Sequence, residues 1–350
     1  MSAFKAIFVE HGYKSIEPER RIIESAGGTF IDGDQYSLDE SLRIAADAEG
    51  IMLRRIKITR EQITTFKRCK ILMRYGVGVD NIDVAAATDA GIIVGHVPIY
   101  CQDDVSTHAI ALLLSCVRRI IPTSDALRAG GWNVHEGDPI YRLAGKTLGI
   151  VGLGTLGQAV AKKMQGWNLR LLGTDPFIEP EIAQALNVKL VPLETLLHES
   201  DFVSLHVPLL PETKHLINAS TLAQMKRGAI LVNTARGPVV SGNDLLRALD
   251  QGQLSCAALD VFEEEPPSKD SLLRSHPRLL VTDHTAWYSE ESQLELQRRA
   301  GEEIARCCTG GLPEAIANPE VLQKLGRVAE WKPNHLARWQ ARRTAAQANT

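Results

Sequence analysis

The sequence has little net charge and no long apolar segment. Its 350 residues carry a formal net charge of −3, so there is no overall basic field to attract nucleic acid. The longer apolar runs, such as residues 109–114, are far too short to cross a bilayer. The N-terminus has neither the apolar core nor the small-residue cleavage site of a signal peptide. We therefore expect a cytoplasmic protein that binds neither nucleic acid nor a membrane.

Cysteine is also scarce, and its spacing fits no metal or disulfide framework. The six cysteines form no C-x-x-C pair, and most lie in apolar surroundings. They are Cys69, Cys101, Cys116, Cys256, Cys307 and Cys308. Because zinc sites and disulfide frameworks need regularly paired cysteines, we expect reduced thiols and no metal site.

The chain does contain a regular alternation of short apolar runs and helical patterns. In the first hundred residues, strands are predicted at 6–10, 50–53, 71–75 and 92–94. A long apolar helix is predicted at 105–120, followed by an irregular arm at 121–145 that contains several prolines and glycines. Strands that alternate with helices predict parallel sheets covered by helices on both faces.

A glycine pattern, G-x-G-x-x-G, lies between a predicted strand at 148–151 and a helical segment. Gly152 permits a tight turn, Gly154 lets the backbone approach a pyrophosphate, and Gly157 lets the helix pack closely on the strand. The helix N-terminus offers free N–H groups to phosphates. The pattern predicts a dinucleotide site, and the alternative is a glycine-rich turn in another kind of α/β unit.

An acidic residue follows the next strand. Asp175 lies about 20 residues past the glycines, where a carboxylate that binds ribose hydroxyls belongs. No lysine or arginine comes between it and Lys189 to neutralise a 2′-phosphate. The sequence therefore predicts NAD rather than NADP as the cofactor.

Reactive side chains follow three later strands. Arg236 comes just after a strand at 229–232, three glutamates at 263–265 follow a strand near 257–261, and His284 follows a strand at 279–281. In an open α/β sheet, ligands bind outside the carboxyl ends of the strands. An arginine binds carboxylates, and a histidine transfers protons near neutral pH, so this set suits hydride transfer between a 2-hydroxy acid and nicotinamide.

The same residues have simpler interpretations. Arg236 would also suit a helix cap, and spacing alone does not separate the three glutamates from an ordinary acidic turn. Trp287 would also suit a protein core, and Arg54 a charged surface. Six other histidines are assigned structural roles: His11, His96, His108, His135, His198 and His276.

At these motifs the chain resembles the D-isomer-specific 2-hydroxyacid dehydrogenases, from about residue 5 to about residue 322. Residues 74–83 match the substrate loop of the family, and residues 206–211 match its loop at the cofactor edge. The segment His-Thr-Ala-Trp-Tyr-Ser-Glu at 284–290 is most similar to the branch named for the C-terminal-binding protein corepressors. The chain departs from the family at Asp283, where proline is usual, and at Cys101, where relatives often carry asparagine or another small residue.

The resemblance implies a catalytic set of His284 as general acid/base, Glu265 as its partner and Arg236 on the substrate carboxylate and carbonyl oxygen. The implied cofactor-binding residues are Gly152, Gly154, Thr155, Leu156, Gly157, Asp175, His206, Val207, Pro208, Thr213, Thr234, Ala235, Arg236, Asp260 and His284, with Asp260 on the nicotinamide amide. The implied substrate-binding residues are Arg54, Tyr75, Gly76, Val77, Gly78, Cys101, Arg236, His284 and Trp287, with the N–H groups of Val77 and Gly78 on the carboxylate.

We predict an α/β fold of two Rossmann-like domains with doubly wound parallel sheets. A discontinuous substrate domain would combine residues 1–102 with 288–325, an NAD-binding domain would span 103–287, and 326–350 would form an extension. The active site is expected in the cleft between the domains, and the arm at 121–145 is expected to form a homodimer contact.

The predicted function is NAD-dependent reduction of a 2-oxo acid and oxidation of the corresponding D-2-hydroxy acid. The indole of Trp287 would favour apolar substrate tails over phosphorylated ones. Two alternatives stay open. One is an NADH-sensing scaffold like the corepressors, and the other is a family member that acts on another anion, such as phosphite, formate or 3-phosphoglycerate.

Overall fold

The computed structural model describes residues 4–135 and 139–331, which form two compact units. Within the described residues, unit 1 combines residues 4–100 with 290–331, and unit 2 comprises 101–135 and 139–289. Most of the predicted extension at 326–350 lies outside the described residues. Its described part contains a single 3-10 turn at Val328–Glu330.

Strands and helices alternate along the whole chain. The strands are β1 (Lys5–Phe8), β2 (Thr29–Asp32), β3 (Gly50–Leu53), β4 (Ile71–Arg74), β5 (Ile93–His96), β6 (Thr147–Val151), β7 (Arg170–Thr174), β8 (Val188–Leu190), β9 (Phe202–Leu205), β10 (Ala229–Asn233), β11 (Leu254–Leu259) and β12 (Leu279–Val281). The helices are α1 (Glu17–Ser25), α2 (Leu38–Ala45), α3 (Arg60–Thr65), α4 (Val84–Asp89), α5 (Gln102–Arg118), α6 (Ile120–Arg128), α7 (Thr155–Lys163), α8 (Pro180–Ala185), α9 (Leu193–Glu199), α10 (Ala219–Gln224), α11 (Gly242–Asp250), α12 (Leu272–Ser275), α13 (Glu290–Cys308) and α14 (Val321–Lys324).

Unit 1 is built on a five-stranded sheet in the order β2-β1-β3-β4-β5, with every pair parallel. The edge strand β2 was missing from the predicted strands, because only Phe30 of its four residues is buried and the apolar signal is weak. The long helix α13 returns the chain to this unit and packs on α1. Gly301 permits that approach, since a Cβ atom there would lie 3.2 Å from the Glu19 backbone.

Unit 2 is built on a seven-stranded parallel sheet in the order β12-β11-β10-β9-β6-β7-β8. Both faces are covered: along β10, Ile230 and Val232 join one hydrophobic core while Leu231 joins the other. The strand order reverses between β6 and β9, and such a reversal is where open α/β sheets bind ligands. The predicted fold class, two α/β domains with parallel sheets, is confirmed.

The prediction for the segment after α5 was wrong in part. Helix α5 ends at Arg118, and its cap residue Arg119 adopts a left-handed conformation with φ of +53° before α6 begins at Ile120. The first turn of α6 tolerates Pro122, because the N–H groups of a first turn have no helical partner. The expected irregular arm therefore begins only after Arg128, and residues 136–138 of it lie outside the described residues.

Large apolar side chains are exposed on α6 and on the segment that follows it. They are Ile120, Ile121, Leu127, Trp132, Val134 and Tyr141, and Trp132 is 92% exposed. None of the described helices is long and apolar enough by itself to span a membrane. The bent pair α5 and α6 passes that test of length and composition only when the two helices are taken together.

Candidate active site

The glycine loop connects β6 to α7 in unit 2. Gly152 has a φ of +91°, and a Cβ atom at Gly157 would collide with the carbonyl oxygen of Gly152. Gly154 is the N-cap residue of α7 and no side chain caps this helix end, so the first N–H groups face outward from the loop. The loop therefore forms a cradle that larger side chains would fill and that suits a pyrophosphate.

Asp175 is oriented toward this loop by two backbone donors. Its Oδ2 accepts a hydrogen bond of 2.9 Å from the N–H of Leu153, and its Oδ1 accepts one of 2.9 Å from Phe177. A pocket of about 300 Å³ adjoins it, with Val191 and Pro192 in its wall. The carboxylate is thus fixed beside the glycine loop, where a ribose hydroxyl would reach it.

Two buried polar atoms at the ends of neighbouring strands lack hydrogen-bond partners in the described part of the chain. They are the Nδ1 atom of His206, which follows β9, and the Oγ1 atom of Thr234, which follows β10. Ser204 lies 2.8 Å from the other ring nitrogen of His206, and burial lowers the pKa of His206 to about 4, so the ring is neutral. Since unpaired buried polar groups are costly, these atoms and the glycine cradle fit a bound dinucleotide.

The neighbouring loop at 206–213 is closed by its own contacts. The hydroxyl of Thr213 donates to the carbonyl of Pro208 at 2.6 Å and accepts from the N–H of Leu210 at 2.8 Å. The Thr213 side chain therefore shapes the loop that carries Val207 and Pro208.

Asp260 is buried at the end of β11 and holds the turn that carries His284. Its Oδ1 accepts from the hydroxyl of Thr282 at 2.6 Å and from the N–H of Thr285 at 3.0 Å, while its Oδ2 accepts from Ala286 at 3.0 Å. His284 itself donates its N–H to the Asp260 carbonyl at 2.8 Å and has a φ of +58°. The Asp260 carboxylate thus contacts Thr282 and this turn, and Nε2 of His108 lies 3.6 Å from its Oδ1. Its implied contact with the nicotinamide amide stays a prediction.

His284 and Glu265 form a close pair. The Nδ1 atom of His284 lies 2.6 Å from Oε2 of Glu265, and the other carboxylate oxygen accepts a hydrogen bond from Phe262 at 3.0 Å. Burial by itself raises the pKa of Glu265. The hydrogen bond and charge of His284, the N–H of Phe262 and the charge of Arg236 together outweigh burial and lower that pKa below its usual value. The carboxylate therefore fixes Nδ1 as a donor and leaves Nε2 for proton transfer.

The tertiary structure separates the three consecutive glutamates. Glu263 accepts a hydrogen bond from Gly242 at 2.8 Å and pairs with His215, and Glu264 is exposed. Only Glu265 contacts His284.

Arg236 extends the same cluster from the end of β10. Asn233 shapes its turn, because its side chain donates to the Arg236 carbonyl at 2.9 Å and accepts from the N–H of Ala235 at 3.0 Å. A Cβ atom at Gly237 would collide with the backbone of Phe262, so glycine allows the two loops to touch. The positive charge of Arg236 also contributes to lowering the pKa of Glu265, which places the two side chains in one electrostatic cluster.

The predicted substrate loop lies in unit 1, where residues 75–78 follow β4 and are here named the β4 loop. The carbonyl of Gly76 accepts a hydrogen bond of 3.0 Å from the N–H of Val97. The N–H groups of Val77 and Gly78 donate to no other group within 4–135 and 139–331. Adjacent unpaired N–H groups form an anion-binding concavity, so their placement suits the carboxylate-binding role that the resemblance implies.

Two residues of the implied substrate set have buried side chains. Tyr75 is 1% exposed, and its hydroxyl donates to Glu19 inside unit 1 at 3.2 Å, so its ring does not face solvent as a substrate contact would. Cys101 is also buried and is the N-cap residue of α5.

Trp287 is only partly buried and packs edge-on against Tyr288, with ring centroids 5.7 Å apart. Trp287 is therefore not a plain core residue.

Arg54 lies at the end of β3 in unit 1. Its guanidinium donates to the His11 carbonyl at 3.0 Å and stacks over the ring of Tyr13 at 4.8 Å. The side chain is thus anchored in place and is not a free surface charge.

Comparison with known proteins shows the family of the chain. Residues 110–286 match the family described as D-isomer specific 2-hydroxyacid dehydrogenase, NAD binding domain. The chain belongs to this family. It therefore contains the NAD-binding domain that the glycine pattern predicted.

Relatives within the family differ in the substrates that their names state. The chain is 39% identical over 88% of its length to a D-3-phosphoglycerate dehydrogenase of Methanocaldococcus jannaschii, and it spans 59% of the length of that relative. It is 39% identical over 76% of its length to a glyoxylate reductase of Korarchaeum cryptofilum, of which it spans 81%. The crystal structure of a D-lactate dehydrogenase from Aquifex aeolicus with NAD and lactic acid is 26% identical, with a TM-score of 0.79, and the match covers 91% of this chain and 98% of that one.

Proposed function

We propose that this chain is an NAD-dependent 2-oxo acid reductase and D-2-hydroxyacid dehydrogenase. The observation that carries the proposal is the 2.6 Å contact between His284 and Glu265, in one cluster with Arg236. All three residues follow strands of the sheet that holds the glycine loop. Ligands of such sheets bind outside the carboxyl ends of the strands, which supports a position of the cluster beside the cofactor.

In the proposed reaction His284 supplies a proton. Because Nδ1 donates to Glu265, Nε2 of the protonated ring is the group that donates to the carbonyl oxygen of a 2-oxo acid. Arg236 polarises the same carbonyl and holds the carboxylate through its paired N–H donors. Bound NADH supplies the hydride. In the reverse direction neutral His284 accepts the proton of the hydroxyl group.

We further propose that the cofactor preference is for NADH over NADPH. Asp175 is held beside the glycine loop by Leu153 and Phe177, so its carboxylate accepts ribose hydroxyls and repels a 2′-phosphate.

The substrate proposed is a small 2-oxo acid, and the names of the relatives support glyoxylate and its longer analogues as the first to test. A screen of NADH oxidation with glyoxylate, pyruvate, hydroxypyruvate, 3-phosphohydroxypyruvate and longer aliphatic and aromatic 2-oxo acids tests this. His284→Ala serves as the inactive control. Turnover of at least one acid that depends on His284 supports the proposal, whereas tight NADH binding without any turnover favours the corepressor-like scaffold.

We also propose that the chain forms a homodimer through α6 and the segment after it. Ile120 and Leu127 are 51% and 55% exposed, and Trp132 is 92% exposed. So many exposed large apolar side chains close together in sequence are unusual on the surface of a monomeric protein. Light scattering after size-exclusion chromatography should give twice the chain mass, and Trp132→Ser should weaken that association. A wild-type monomer at micromolar concentration would contradict this part.

A further inference from the structure

His96 makes a close contact with the β4 loop. It is the last residue of β5, its side chain is buried, and its Nδ1 atom lies 2.7 Å from the carbonyl oxygen of Val77. A carbonyl oxygen only accepts hydrogen bonds, so Nδ1 carries the hydrogen. Burial lowers the pKa of His96 to about 4, more than the bond to Val77 raises it, so the ring is a neutral donor at physiological pH.

Because peptide bonds are planar, the contact between His96 and the Val77 carbonyl also fixes the orientation of the next N–H group, that of Gly78. In a trans peptide the C=O of one residue and the N–H of the next point in opposite directions. The Val77 carbonyl that accepts from His96 therefore sets the direction of the Gly78 N–H. In the same way, the Gly76 carbonyl that accepts from Val97 sets the direction of the Val77 N–H. Both N–H groups thus point away from the donors of β5 and its next residue.

We propose that His96 is a positioning residue for substrate binding, which holds the Val77–Gly78 peptide so that its N–H group meets the substrate carboxylate. The inference rests on the proposed function, because it needs a carboxylate at the β4 loop. The Val77–Gly78 peptide needs this hydrogen bond to fix its orientation, because glycine at 78 lets the backbone rotate at little cost in free energy. The Gly76 carbonyl has a backbone donor in Val97, but the Val77 carbonyl depends on a side chain.

The test compares His96→Leu with His96→Asn in the full-length protein. Leucine removes the donor, whereas asparagine places its amide nitrogen on Cγ, where histidine carries Nδ1. For His96→Leu we expect about a tenfold rise in KM, equivalent to about 1.4 kcal/mol. The rise should be equal for glyoxylate and for a longer aliphatic 2-oxo acid, since both bind through the same carboxylate. kcat and NADH affinity should change little. In His96→Asn, KM should return most of the way to the wild-type value.

Asn318→Leu is the matched control. Asn318 is buried and binds the first half of β5, where its side chain accepts from Val94 at 2.8 Å and donates to Ile92 at 3.0 Å. Its loss should lower the melting temperature of the protein without a rise in KM. His96→Gln moves the amide donor one methylene further, and it replaces His96→Leu in the comparison if the leucine variant does not fold.

Binding of oxamate to the NADH-saturated protein gives a readout that needs no turnover. Its Kd should rise about tenfold in His96→Leu and return toward the wild-type value in His96→Asn. An unchanged KM and Kd in His96→Leu, no restoration by asparagine, or no oxamate binding to the wild type would overturn the inference. Failure of the proposed function is seen separately, as absence of wild-type turnover on every 2-oxo acid.

Discussion

The contact between Glu265 and His284 predicts a specific loss of activity. Glu265→Gln removes the negative charge but keeps a side chain of the same shape. Reduction of a 2-oxo acid needs the protonated imidazole, which the carboxylate stabilises at 2.6 Å. Without the charge that stabilisation is lost, so kcat/KM for reduction should fall while NADH binding stays unchanged.

The exposure of the pair sets the expected size of this loss. A fully exposed ion pair contributes about 0–1 kcal/mol, and a hydrogen bond to a charged group about 1.5–3 kcal/mol. Here the two side chains are 36% and 35% exposed, so solvent screens the pair in part and we expect a contribution of about 1.4 kcal/mol. Since about 1.4 kcal/mol corresponds to a factor of ten in rate, kcat/KM should fall about tenfold.

The assay is steady-state NADH oxidation with the best 2-oxo acid from the screen. Glu264→Gln is the control, because it removes an adjacent exposed glutamate that does not contact His284. The kcat/KM of that variant should match the wild type. An unchanged kcat/KM in Glu265→Gln, or an equal fall in both variants, would refute the assigned role of Glu265.

Three further predictions concern single residues of the site. His284→Ala should lower kcat/KM by at least about 10²-fold, because general acid/base catalysis contributes about 10²–10⁴-fold, while fluorescence titration should show unchanged NADH binding. Asp175→Ala should reduce the preference for NADH over NADPH, mainly because NADH binds more weakly. Comparable kcat/KM values for the two cofactors in the wild type would contradict the role of Asp175. Trp287→Ala should raise KM for longer aliphatic 2-oxo acids more than for glyoxylate, and wild type should prefer such acids over 3-phosphohydroxypyruvate; an equal rise for all acids would assign Trp287 a structural role.

Part of the site was predictable because short motifs carry its chemistry locally. The glycine pattern needs only a strand, a turn and a helix in sequence order, so Gly152, Gly154 and Gly157 are predicted from their spacing together with the flanking strand and helix. The parallel sheets followed from the alternation of strands and helices along the chain. The burial of Ile230–Val232 on both faces of the sheet fits this arrangement. The weak strand β2 and the early part of the arm were missed, because burial at a sheet edge and the break at Arg119 leave little signal in the sequence.

Contacts between distant segments were decided only by the tertiary structure. The sequence determined that three glutamates follow one strand and that a histidine follows another. Their spacing along the chain did not show which of the three glutamates contacts the histidine. The folded chain brings Glu265 to His284 and turns Glu263 toward Gly242, because the close approach at Gly237 fixes where each loop lies. His96 was likewise assigned as an ordinary buried histidine, since nothing local to it in sequence shows that β5 ends beside Val77. Hydrogen bonds at about 3 Å depend on backbone positions that many residues set together, whereas a motif depends only on its neighbours in the chain.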